Sequence, residues 1–242
     1  MERAAREDER KQKDDVLTRL SAVAGDRDIM ELSDPNRPMK IAEKFTEMYD
    51  NDWTDSMEAL EDLKISEKKC VEILLHLVTD SYEECGRILH ELDGYLEKAV
   101  IVWECEDETH QPNGSSPSNN GLPAKMTKLI KDFRRKLADK SVLALQKKLP
   151  QHLQKKRGIT KDQMKACKKF IEDCIRYTWL MQMQDPPVYI EWEFSRDSTI
   201  DTNILRSYTR AGNKVDFVVW PVLYLHEDGP VLNKGVVQPI LQ

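Results

Sequence analysis

Val215–Tyr224 reads VDFVVWPVLY, and after His226-Glu227-Asp228-Gly229 the chain resumes from Pro230 to Pro239 as PVLNKGVVQP. The first run has one charged residue, Asp216, in ten, and is rich in the β-branched and aromatic types that suit a pleated surface. The polar Glu227-Asp228-Gly229 reversal has the chemistry of a tight turn, so the run from Val231 to Val237 is expected to pair back on it. Pro221 donates nothing to a ladder and predicts an edge, a bulge or an irregular stretch. Upstream, Val188-Tyr189-Ile190-Glu191-Trp192 alternates with period two and reads as a further strand. Gly212-Asn213 offers a turn into the run from Val215. A small antiparallel β-sheet near the C-terminus is the expectation.

Working back from it, the chain reads as helical. Pro38, at a first-turn position where its missing N–H costs nothing, predicts a helix through about Asp50, and Trp53, Met57, Leu60 and Leu63 a second short one. Ser66 precedes Val71, Leu74, Val78, Tyr82, Cys85, Leu89, Leu92, Leu96 and Ala99, spaced by threes and fours along one face. That stripe suits a core helix of a bundle, with an intermolecular coiled coil as the other reading. Residues 106–123 are Gly-, Pro-, Ser- and Asn-rich and predict a linker between two helical lobes. Beyond it, Met126, Leu129, Ile130, Phe133 and Leu137 share a helical face, and Pro150 is expected to interrupt the Leu-rich stretch that follows. Thr160-Lys161-Asp162-Gln163 is a capping box, opening a helix towards Gln184 that Asp185-Pro186-Pro187 ends. Residues 1–32 read as a charged N-terminal helix or tail, with Val16, Leu17, Leu20 and Val23 at helical spacing. The fold class is mostly α, a helical bundle in two lobes with the small sheet appended.

At 242 residues, 40% hydrophobic and 33% charged, the chain has the size and balance of a globular domain. Its longest apolar stretch, Phe217–Leu225, is too short to span a bilayer and contains Pro221. The opening MERAAREDERKQKDD has no apolar core, so it does not read as a signal peptide, and it is too acidic for a mitochondrial presequence. Five cysteines without a C-x-x-C pair, and five histidines without an i,i+4 pair, predict reduced buried thiols and no helical zinc site.

The two runs at 215–239 resemble the end of the C-terminal domain of the mitochondria-eating protein family. Asp34–Asp55, DPNRPMKIAEKFTEMYDNDWTD, is similar to its beginning, at Arg37-Pro38, Glu43-Lys44, Tyr49-Asp50-Asn51 and Trp53-Thr54-Asp55. Trp179–Tyr189, WLMQMQDPPVY, sits between as it does in that family. The resemblance covers residues 33–242. It implies a cytoplasmic factor in mitochondrial quality control and mitophagy, recruited to the organelle surface, without a cofactor. In that family a coiled coil precedes the domain, and here residues 1–24 hold at most its end.

Between Lys125 and Lys169 stand sixteen Lys and Arg against Asp132, Asp139 and Asp162, a local charge of +13 in a chain whose formal total is −6. Such separation predicts a basic face on an acidic body. Lys155, Lys156, Arg157, Lys161 and Lys165 form its densest part, with Lys128, Lys131, Arg134 and Arg135 extending it. An anionic phospholipid surface is one partner for such a face, and the resemblance points to cardiolipin. The other readings are that the lysines meet the acidic half of their own chain, or that the domain is a protein-interaction adaptor. That adaptor would self-associate or bind a partner through the 71–99 stripe or a Trp220–Pro221 groove. Nucleic acid is disfavoured, because stacking platforms need several interleaved aromatics and Phe133 stands alone before Phe170. No phosphate loop, nucleophile elbow or metalloprotease motif is present, and His226-Glu227-Asp228 and the Glu191/Glu193 pair suit a turn and a solvated strand. The expectation is a non-enzymatic protein.

Overall fold

The structure, a computed structural model, describes residues 36–104 and 124–241, with side chains over 36–96 and 129–241. The charged segment 1–32 and the linker 106–123 lie outside the described residues.

Helix α1, Pro38–Met48, begins with proline at its first position and buries Ile41, Ala42, Phe45 and Met48 along one face. The expected break after it is instead a π-helical turn, Tyr49–Trp53, which runs directly into α2, Thr54–Asp62. The turn brings Trp53 to the buried side with Met57 and Leu60. Helix α3, Glu67–Glu104, follows. Its stripe divides: Val71, Leu74, Val78 and Cys85 are core, Leu89 is half-buried, and Leu92 and Leu96 are 41% and 37% exposed.

After residue 123 come α4, Ala124–Lys136, and α5, Ala138–Arg157. Pro150 lies inside α5 and does not end it. An internal proline costs a helix about 3 kcal/mol. Leu149 and Leu153, on either side of it, are buried, each worth roughly 1.5–3 kcal/mol, so packing outweighs the lost backbone bond. Gly158 caps α5 at φ 63°, a left-handed conformation natural to glycine. Thr160 then opens α6, Lys161–Ala166, with both capping-box bonds made: Gln163 N–H to the Thr160 hydroxyl, and Thr160 N–H to the Gln163 side chain. A one-residue kink at Cys167 divides the expected long helix into α6 and α7, Lys168–Gln182. Helix α7 is the centre of the bundle. Its Phe170, Ile171, Cys174, Ile175 and Trp179 are buried, and α3 packs along it. On another side α5 packs on it, where the Gln146 side chain donates to the Glu172 carbonyl at 2.8 Å.

The C-terminal region forms two three-stranded sheets rather than one. Strands β1 (Tyr189–Glu191), β4 (Val222–Tyr224) and β5 (Val231–Asn233) make an antiparallel sheet in the order β1-β4-β5. Strands β2 (Leu205–Ser207), β6 (Gly235–Pro239) and β3 (Val215–Trp220) make a mixed one in the order β2-β6-β3, with β2 and β6 parallel. Pro221 lies between β3 and β4, where the chain leaves one sheet for the other. Gly235 allows the β5–β6 corner to pass close to the backbone, since a Cβ there would sit 3.0 Å from the Trp220 carbonyl.

Trp220 joins sheet to bundle. Its ring centroid lies 4.6 Å from Phe45, 5.0 Å from Tyr49 and 6.3 Å from Phe170. Trp53, Trp179 and Trp220 are all buried, as anchors of this size are expected to be. Burial of Trp220 and Pro221 removes the exposed groove that an adaptor reading placed there.

Candidate functional site

Helix α5 sets the geometry of the basic segment. Its inward ridge, Ala138, Val142, Leu149 and Leu153, is buried against the bundle. At 100° per residue, Lys140, Lys147, Lys148 and Lys155 fall together on the opposite, solvent side. All four are exposed, with no ion-pair partner among the described residues. Lys161 and Lys165 on α6 are likewise exposed and unpaired among those residues.

The next two residues of α5 turn towards α3 instead. The Arg157 guanidinium donates from Nε to Asp80 Oδ2 at 2.6 Å and from Nη2 to Oδ1 at 2.7 Å. Lys156 Nζ lies 3.0 Å from Asp80 Oδ1 and 3.0 Å from Glu83. The network continues through Glu84, which meets His152 Nε2 at 3.1 Å and Arg87 Nε at 2.9 Å. Burial pushes the Asp80 carboxyl upward, yet the Arg157 and Lys156 hydrogen bonds outweigh it and hold the group below the usual carboxylate range. Glu84 is likewise lowered: burial raises it, and the Arg87 and His152 contacts prevail. The fork on Asp80 in turn raises Arg157.

Of the other expected residues, Lys131 pairs with Asp185 at 2.8 Å, and Arg134 with Asp93 of α3. Arg135 is half-buried and lines a cavity with Asp185 and His226. The Lys128 side chain lies outside the described residues. The nine positions therefore separate: Lys131, Arg134, Lys156 and Arg157 serve the fold, and Lys155, Lys161 and Lys165 face solvent. Lys140, Lys147 and Lys148, counted in the charge but not singled out by the sequence, belong with the second set. Their spacing to Lys155 by seven, eight and fifteen residues is the signal that identifies them. Exposed apolar side chains lie on the same helices: Leu129 and Phe133, one turn apart on α4, and Leu143 on α5.

A match to the family described as Mitochondria-eating protein spans residues 37–239, most of the chain. The chain belongs to the mitochondria-eating protein family. Mitochondrial quality control is this family's general role. For this mitochondria-eating protein family member, no curated relative and no solved structure gives a match. No helix among the described residues is long and apolar enough to cross a membrane.

Proposed function

We propose that this domain acts in mitochondrial quality control as a non-enzymatic module, recruited from the cytoplasm to the organelle, that docks on anionic, cardiolipin-containing membrane. The observation that carries this reading is the outward face of α5. Four lysines there have no carboxylate opposite them among the described residues, while neighbouring basic residues are ion-paired. Lys161 and Lys165 extend the charge, and exposed Leu129, Phe133 and Leu143 supply apolar contacts for the headgroup boundary. Each lysine near an anionic surface contributes about 1 kcal/mol, so three together are worth a factor of roughly a hundred at low salt.

Co-sedimentation with cardiolipin-containing and neutral vesicles tests this. Binding should be selective, should fall steeply with added salt, and should be lost in Lys147→Glu/Lys148→Glu/Lys155→Glu. Binding unaffected by both salt and the triple substitution would overturn it.

A second reading rests on α3, where Leu92, Tyr95 and Leu96 are exposed on the half of the stripe that leaves the core. That surface suits self-association or a protein partner. It predicts an oligomer by light scattering that Leu92→Glu/Leu96→Glu dissociates and that salt leaves intact.

A further inference from the structure

Helix α4 is turned the unusual way round. An amphipathic helix of a globular domain ordinarily packs its apolar side inward and shows its charged side to water. Here the inward side is the charged one. The Arg134 side chain, 14% exposed, pairs with Asp93 of α3, Lys131 pairs with Asp185 at 2.8 Å, and Arg135 is half-buried. Leu129 and Phe133 point the other way and are 63% and 62% exposed. They stand one helical turn apart, so the two side chains form a single outward pair. A lone exposed leucine is ordinary, but a helix held by its charged side so as to present its apolar one requires a reason.

The charges around the pair select what covers it. Lys136, one turn beyond Phe133 and two beyond Leu129, is exposed on the same side and has no ion-pair partner among the described residues. Only Leu137 separates α4 from α5, where exposed Leu143 lies between Lys140 and Lys147 on one helical face. Those two lysines are also exposed and unpaired among the described residues. Asp132, the one carboxylate in α4, is half-buried. A second copy meeting this surface with its own would set lysines against lysines. An anionic bilayer offers phosphates to the lysines and acyl chains to Leu129 and Phe133.

We propose that α4 is an insertion helix: on an anionic membrane it sinks Leu129 and Phe133 among the acyl chains, and so reads loose lipid packing as well as charge. This rests on the docking of the α5 lysines proposed above and adds a sensitivity that charge alone does not supply. Apolar side chains enter most readily where curvature spreads the headgroups. The test attaches an environment-sensitive NBD label at Leu129→Cys or, as a control on α2, at Glu61→Cys, each in a Cys105→Ser chain. Cys70, Cys85, Cys167 and Cys174 are buried, so the introduced thiol takes the label. Small and large vesicles of one cardiolipin-containing composition are then added at low salt. The label at 129 should brighten, shift to the blue and be quenched by lipids carrying a nitroxide on the acyl chain, whereas the label at 61 should not. Unlabelled protein should bind the small vesicles about fivefold more tightly than the large ones. Leu129→Ser/Phe133→Ser should lose that preference and bind small vesicles about tenfold more weakly. Its thermal midpoint should be kept, because both side chains already face water. Binding without acyl-chain quenching at 129, or binding that neither vesicle size nor the double substitution changes, overturns insertion and leaves the docking intact. No binding to either vesicle overturns both. A blue shift at 129 that grows with protein concentration in the absence of vesicles identifies contact between copies and also overturns insertion.

Discussion

Replacing Arg157 by methionine tests whether the densest basic cluster is part of the fold. Asp80 is 1% exposed, and three of its charged hydrogen bonds come from Arg157 and Lys156. Methionine preserves much of the stem and removes the fork, leaving a buried carboxylate with Lys156 alone from that pair. Breaking a buried ion pair from one side costs about 3–5 kcal/mol. Lys156 remains, and the Arg157 side chain is itself 37% open to water, so we expect about 2 kcal/mol, a factor of roughly 30 in the folded population. Replacing both partners, as Asp80→Leu/Arg157→Met, should restore stability to within about 1 kcal/mol of wild type, because no buried charge is stranded.

The pH dependence has a definite sign. In the folded wild type the Asp80 carboxyl is held low, so its stabilisation is complete above the unfolded value of about 4 and is lost as pH falls through the folded one. The deficit of Arg157→Met should therefore narrow below about pH 4, where protonation relieves the stranded charge. Urea unfolding followed by tryptophan fluorescence at pH 7 and about pH 3.5 measures it. A loss under about 0.5 kcal/mol at pH 7, or one of equal size at both pH values, would refute the reasoning.

Gly158→Ala should destabilise by about 1–2 kcal/mol, read as a lower thermal midpoint, because φ 63° is strained for alanine although a Cβ would meet nothing within 4 Å. Among the thiols, burial pushes Cys85 and Cys167 up to about 12 and raises Cys70 and Cys174 as well. A thiol reagent at about pH 8 should thus modify no more than one of the five cysteines in the native protein and all five in denaturant; two or more in the native state would contradict that burial.

Local chemistry was legible where it is self-contained. The Thr160–Gln163 capping box, the Pro38 helix start and the core half of the α3 stripe each depend on residues within a few turns. Pro150 misled because the burial that carries α5 through it depends on helices elsewhere in the chain. The parallel pairing of β2 with β6 escaped notice because Leu205–Ser207 is short and two of its three residues are exposed, so no alternation marks it. The basic segment was visible as charge, but its division was not. Arg157 and Asp80 are 77 positions apart, and only the packing of α5 against α3 separates lysines that hold the fold from lysines that face water.

The order of strands in the second sheet bears on how the chain is made. β6, the last strand in sequence, lies between β2 and β3 and is buried along its whole length. Until synthesis has passed Pro239, β2 and all of β3 beyond Val215 lack their ladder partner, and Trp220 at the end of β3 lacks the ladder that seats it among Phe45, Tyr49 and Phe170. The helices can collapse earlier, but closure of this sheet waits until β6 has emerged. Premature termination a few codons short of Pro239 would therefore act as the loss of a keystone rather than a trimmed end, exposing apolar strand edges for degradation.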